Sequence, residues 1–251
     1  AEISRQSGIN IVCTTGFYRE GSGLPHYWRQ RSVREIAELY IHEITVGIGD
    51  TGIRAGAIKV ATEGAPVTPL DRKFLDAACV AHIKTGVPII SHTDGVSGPD
   101  QADAILAGGV RPQGCLIGHS CANPEHAYHR RIVDRGMYIG FDRIGMLSLQ
   151  RDEVRADRLV DLVRAGFGAQ VLVSQDRYCF LRGKPPRTTS DEELARIAAL
   201  RAAGKWLPYT HLFTDFLPML RERGMKESEI YSILDENPRR FFAGAQLPHS
   251  P

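Results

Sequence analysis

Short apolar runs alternate with longer stretches in which apolar positions recur at helical spacing, almost from one end of the chain to the other. Six of the runs predict strands: Ile9 to Thr14, Ala57 to Ala61, Val87 to His92, Cys115 to His119, Met137 to Asp142 and Gln170 to Ser174. Each is nearly continuous in apolar character, as expected of parallel strands covered on both faces. Helix signals fill the intervals. Ser32-Val33-Arg34-Glu35 has the form of a capping box, and Ile36, Leu39, Tyr40 and Ile44 follow at helical spacing. Thr68-Pro69 opens the next helix with a capping residue and a proline, Gly86 closes it, and Asn123-Pro124 repeats the opening device. Ala1 to Ser7 reads as the end of a helix, and Ser190 to Phe242 as several amphipathic helices punctuated by Pro218, Gly224 and Pro238.

Repeated βα units point to an α/β fold of the TIM (β/α)8-barrel type, with about six of its eight strands recognisable, in a single domain over residues 1–251. A closed barrel of that kind takes about 250 residues. The same length here yields fewer strands because the loops and the terminal helices are long. An open six-stranded sheet is the alternative, and it would expose both edge strands.

Taken as Ala57-Ile58-Lys59, Pro88 to His92, Cys115 to His119 and Val171 to Asp176, four apolar stretches each lead to a residue that can bind a metal. The carboxyl-terminal rim of a parallel sheet is where barrels and open α/β folds keep their chemistry. Lys59 lies inside an apolar strand, where a charged ammonium is costly to bury, so its amine is paired, neutral or chemically modified; snorkelling from a strand end is the plain alternative. A lone strand-end histidine is more often structural than a ligand. The pair on consecutive strands reverses that preference, and Asp176 adds a carboxylate able to bind metal and take a proton from activated water.

Composition narrows the classes without adding chemistry. Lys and Arg number 31 against 29 Asp and Glu, a formal charge of +2 that gives no sign of a nucleic-acid partner. No stretch reaches the roughly 18 apolar residues of a membrane span, and the first residues lack a signal-peptide pattern. Five cysteines without metal-finger spacing fit a reducing, cytoplasmic setting.

Several longer motifs resemble the phosphotriesterase family of the amidohydrolase superfamily over nearly the whole chain. They are Gly52 to Thr62, Gly86 to Thr93, Ile117-Gly118-His119-Ser120, Ile139-Gly140-Phe141-Asp142-Arg143 and Asn237-Pro238-Arg239-Arg240-Phe241-Phe242. The resemblance implies a distorted βα barrel with two divalent metal ions, zinc first among them and cobalt, manganese or iron as alternatives. It makes Lys59 the lysine that captures carbon dioxide as a bridging carbamate. His92 and His119 would hold the more exposed metal, and Asp176 the buried one while also working on the bridging hydroxide. Members are often homodimers, and no interface is legible in the sequence.

Finer marks resemble the lactonase branch of the family. Thr15-Gly16-Phe17-Tyr18 would aim Tyr18 at the bridging hydroxide and the substrate, and Phe141-Asp142-Arg143-Ile144-Gly145 would place Arg143 near the leaving group. The plain alternatives are a rim aromatic packing on Leu24 and Trp28 for Tyr18, and a surface ion pair for Arg143. The family's His-x-His at the end of its first strand is absent, and Ile9 to Thr14 matches its third strand. The expectation is that some 60 residues precede this chain in a complete barrel. Without them the chain is expected to be weakly active and poorly soluble.

The expected function is metal-dependent hydrolysis of a lactone or ester, with organophosphates as promiscuous substrates. A non-catalytic binding or scaffold protein on a degraded barrel is the alternative. Weaker candidates are His126 and His129, expected on a solvated helix face, Cys121, expected to be simply buried, and Gly21-Ser22-Gly23, which lacks the setting of a phosphate loop. The segment from Arg177 to Arg187 is the natural loop to contact substrate.

Overall fold

The computed structural model of the chain describes residues 1–62, 64–177, 190–203 and 207–244. Six parallel strands form one sheet: β1 (Thr14–Gly16), β2 (Ala57–Ala61), β3 (Ile89–His92), β4 (Cys115–Ile117), β5 (Tyr138–Phe141) and β6 (Val171–Val173). Their spatial order is their order in the chain, β1-β2-β3-β4-β5-β6. A doubly wound sheet reverses direction at a switch point, whereas strands laid down one after another curl as a barrel wall does. The fold is α/β of the TIM-barrel type. Among the described residues β1 and β6 are its edges.

Helix α1 (Glu2–Ser7) precedes the sheet, and between its strands lie α2 (His26–Arg29), α3 (Val33–Thr45), α4 (Pro69–Thr85), α5 (Gly98–Ala107), α6 (His126–Val133) and α7 (Asp152–Leu162). After β6 come α8 (Asp191–Ala202), α9 (Leu217–Glu222), α10 (Glu227–Tyr231) and α11 (Asn237–Ala243). The capping residues act as the sequence indicates. Ser32 Oγ accepts from Glu35 N at the start of α3 while the Glu35 carboxylate accepts from Ser32 N, and Thr68 and Asp71 repeat the exchange at α4. Gly86 ends α4 in the left-handed conformation.

Side-chain alternation assigns the two faces of the sheet. Ile58, Val60, Ile89, Ile117, Ile139 and Val171 point outward into the large core shared with the helices. Ile90, Leu116, Tyr138 and Leu172 point inward and form a second apolar cluster plugged by Phe241 of α11, whose ring centroid lies 5.1 Å from that of Tyr138. Asn237 fixes that helix by donating to the carbonyls of Gly168 and Val171, each at 2.8 Å. Lys59 pairs in register with Ile90, and Ile90 with Leu116. Lys59 is therefore level with this apolar layer, and His92, in register with Ala61, stands above it at the strand end.

Three local expectations are corrected. The first strand is Thr14–Gly16 rather than Ile9 to Thr14, because pairing begins only where Thr14 meets Ala57; Ile9, Ile11 and Val12 run past the end of β2 and are exposed. Asn123-Pro124 does not cap α6, which starts at His126 after Glu125; instead Asn123 Oδ1 accepts from Glu125 N, and its Nδ2 donates to Gly95 O. Pro218 and Pro238 do not break their helices. Each follows a wide π turn, Leu212–Phe216 and Ser232–Glu236, so that the missing proline N–H falls where the α-helical ladder is already interrupted.

Candidate active site

Lys59 stands in the middle of β2, flanked by buried Ile58 and Val60. Gly16 of β1 lies directly beside it, and a Cβ at that position would come 1.9 Å from Lys59 O. Burial, reinforced by the Arg143 charge, pushes the Lys59 amine below its usual range against the pull of Asp142 and Asp176. His92 closes β3 and is almost wholly buried; desolvation, aided by the neighbouring His119 and Arg143, lowers its pKa to about 4 despite the nearby Asp94.

His119 follows β4 in the left-handed region, at φ 58°. Its ring stands edge-on to that of His92, with centroids 4.5 Å apart, and its Nε2 is 3.9 Å from Asp176 Oδ2. Asp176 follows β6, also at positive φ, and is exposed at the rim. Three of the sequence-derived candidates, His92, His119 and Asp176, thus meet at one end of the sheet, with Lys59 in the electrostatic reach of Asp176.

Tyr18 and Arg143 join them. The Tyr18 hydroxyl lies 3.0 Å from His92 Nε2, and its ring meets the imidazole edge-on at 4.7 Å. The contact with Trp28 considered for Tyr18 belongs instead to its neighbour Phe17, at 5.4 Å. Arg143 is not a surface residue: only 8% of it is exposed, and its Nε donates to Asp176 Oδ2 at 3.1 Å while Nη1 donates to Asp94 Oδ1 at 2.9 Å.

Two further carboxylates, Asp94 and Asp142, complete the site. Asp94, at φ 50°, is the third described non-glycine residue with positive φ, and all three lie on this rim. Its carboxylate meets His92 Nε2 at 3.1 Å and Arg143, and also pairs with Arg19. Asp142 follows β5 and accepts from the backbone N–H of His119 at 2.8 and 3.0 Å and from His119 Nδ1 at 3.0 Å. Burial would raise its pKa, but His119 and Lys59 outweigh burial and hold the carboxyl below its usual range. Asp94 could have been suspected from the turn-forming Thr93-Asp94-Gly95. Asp142 sits inside a motif already noted, but nothing in its spacing marks a role.

The loops that carry Arg143 and Asp176 are fastened from behind. Asp152 accepts from Gly145 N at 3.0 Å, from fully buried Arg155 at 2.6 Å and from His211 Nε2 at 2.8 Å. Gln175, next to Asp176, donates to Pro208 O at 3.0 Å. The segment before α9 is thereby tied to both loops.

The remaining candidates resolve simply. His129 is fully buried rather than solvated, because α6 turns that face to the core and His129 Nε2 donates to Ser120 O at 3.0 Å. Cys121 is buried, and burial pushes its thiol up to about 11. Glu20 to Ser22 form a 3-10 turn with Gly23 as its cap, with no strand leading into a helix. Of the substrate-loop segment, residues 178–187 lie outside the described residues, as does Cys179.

By type, two imidazoles, a carboxylate and a lysine with a depressed pKa suit a divalent cation. As arranged, Asp94 engages His92 Nε2 and Arg143 draws on Asp176, and among the described residues no three His, Cys, Asp or Glu side chains gather as a metal-holding group. No described helix is long and apolar enough to cross a membrane.

A model of the phosphotriesterase family matches residues 1–242. The chain is 32% identical over 244 residues to an aryldialkylphosphatase of Saccharolobus solfataricus, spanning 96% of this chain and 74% of that protein. Among solved structures it is similar to a mutant of a phosphotriesterase-like lactonase of Deinococcus radiodurans, with TM-score 0.84, 39% identity, and coverage of 96% and 75% of the two chains. The phosphotriesterase homology protein of Escherichia coli, solved with phosphate in its active site, gives TM-score 0.83 and 32% identity over 96% of this chain and 77% of that one.

Proposed function

Because the chain belongs to the phosphotriesterase family and is a hydrolase of that family, we propose that it is a metal-dependent hydrolase of lactones or related esters, with Lys59, His92, His119 and Asp176 as its metal-holding residues. The observation that carries the reading is the meeting of His92, His119 and Asp176 on one rim, with Lys59 on the strand beside them in the electrostatic reach of Asp176. The lactone preference draws on Tyr18 and Arg143 and on the likeness to a lactonase; organophosphates are the secondary substrates.

Two divalent ions, zinc by preference, would lower the pKa of a shared water and polarise the scissile carbonyl or phosphoryl oxygen. Lys59 is suited to its part because a neutral amine is the form that adds carbon dioxide. Its nitrogen forms the new C–N bond, one N–H proton leaves to solvent, and the side chain becomes an anionic carbamate with two oxygen donors. Asp176 accepts the proton that the attacking water must lose. Tyr18, beside His92, offers its hydroxyl as a donor to an oxygen of the substrate, and Arg143 places a positive charge next to Asp176 where a leaving alkoxide would develop.

The full-length protein, purified and loaded with zinc, cobalt or manganese and offered lactones, aryl esters and phosphotriesters, tests the reading. Lactone hydrolysis should exceed phosphotriester hydrolysis. Inactivity against all three classes would overturn it.

A second reading, a non-catalytic binding protein on the same scaffold, is favoured by one observation: Asp94 already engages His92 Nε2. A well-folded protein that takes up no zinc, cobalt or manganese would support it.

A further inference from the structure

We propose that Asp142 is a positioning residue that holds His119 as the Nδ1-protonated tautomer, and so keeps His119 Nε2 as a lone pair facing Asp176 and His92. Three contacts converge on this carboxylate. Both of its oxygens accept from the His119 backbone N–H, at 2.8 and 3.0 Å, and Oδ1 lies 3.0 Å from His119 Nδ1. An ionised carboxylate only accepts, so the proton in the last contact belongs to the imidazole, on Nδ1. In the neutral ring the other nitrogen then carries no proton.

The same contacts explain the backbone. His119 has φ 58°, a conformation that side-chain-bearing residues rarely adopt, and the carboxylate is anchored on its N–H. Room for the carboxylate comes from two glycines on the inner face. A Cβ on Gly140 would lie 2.7 Å from Asp142 Oδ2, and one on Gly118 3.0 Å from it. An amide at position 142 would turn an NH2 group toward N–H donors, and a glutamate would need space that this cradle lacks.

The consequence for metal binding rests on the proposed function, because an imidazole that donates one N–H to a carboxylate presents its other nitrogen as a more basic, correctly aimed ligand. The tautomer does not depend on it.

Nitrogen-15 NMR of the full chain labelled at histidine, metal-free and at mildly alkaline pH, reads the tautomer directly, with His119 assigned by its loss in His119→Gln. A protonated Nδ1 and an unprotonated Nε2 are expected; a protonated Nε2 in the wild type would overturn the proposal. In a folded Asp142→Asn variant the tautomer should shift, and zinc affinity by calorimetry should fall about 10- to 100-fold. An unchanged tautomer and affinity there would equally overturn it. Should that variant not fold, the wild-type spectrum decides. A wild type that binds no zinc yet keeps the Nδ1–H tautomer supports the role of Asp142 and removes the metal reading alone.

Discussion

Asp94 Oδ1 lies 3.1 Å from His92 Nε2, the ring nitrogen that also meets the Tyr18 hydroxyl. The same carboxylate binds Arg143 and Arg19, so one residue in a left-handed turn ties three segments of the rim together. Removing it leaves Arg143, only 8% exposed, with Asp176 alone. Asp94→Ala should therefore cost about 1–2 kcal/mol in urea unfolding, since the pair is only partly buried. It should also lower kcat/KM by at least about tenfold, because Arg143 loses its placement. Arg19→Ala, a more exposed partner, should cost less than about 1 kcal/mol.

Asp152 has a heavier structural task. Arg155 beside it is fully buried, and their 2.6 Å contact is the guanidinium's only carboxylate pairing among the described residues. Asp152→Ala strands that charge and frees Gly145 N and His211, and a loss of about 3–5 kcal/mol is expected in chemical denaturation. Asp152→Ala combined with Arg155→Met should recover much of the loss.

Acid should weaken the fold before carboxylates titrate. Burial lowers the pKa of His129 from 6.5 to about 4. The unfolded chain thus binds a proton between those values that the folded chain does not. Stability from this group is full above pH 6.5 and is lost as the pH falls toward 4, by up to about 3 kcal/mol. In metal-free protein His92, lowered to about 4 by burial, adds a loss of the same sign in the same window. Urea midpoints measured from pH 7 to 4 should fall steadily, and His129→Gln should flatten part of the slope.

Tyr18 separates packing from chemistry. Tyr18→Phe keeps the edge-on ring contact with His92 and removes the hydroxyl 3.0 Å from its Nε2. Stability should change by less than about 0.5 kcal/mol, as for other exposed positions. Lactone kcat should fall roughly tenfold or more if the hydroxyl meets the reacting oxygen.

Much of this site could be read from the sequence because a parallel strand buried on both faces leaves an unbroken apolar run, and a polar residue at its end is conspicuous. His92 and His119 stand out for that reason, Lys59 as a charge inside such a run and Asp176 as a carboxylate just past one. The true start of the first strand is hidden in the sequence because Ile9, Ile11 and Val12 carry the same apolar pattern, although pairing with β2 begins only at Thr14. Asp94 and Asp142 escaped for a different reason. Their roles come from a neighbouring loop or strand, His92 and Arg143 for one and His119 for the other, and no periodicity along the chain encodes such a contact. The burial of His129 is not legible in the sequence because its helix has polar residues on both sides, and only the fold shows which side faces the core.

Metal-dependent hydrolysis by Lys59, His92, His119 and Asp176 stands or falls on one titration. Lactone hydrolysis is followed as a chelator strips the protein and zinc or cobalt is returned, with metal content measured at each step. Activity that disappears with the metal, returns with it and is absent in His119→Ala is the expected result. Hydrolysis indifferent to chelation, or a folded protein that takes up no metal and hydrolyses nothing, would rule this function out.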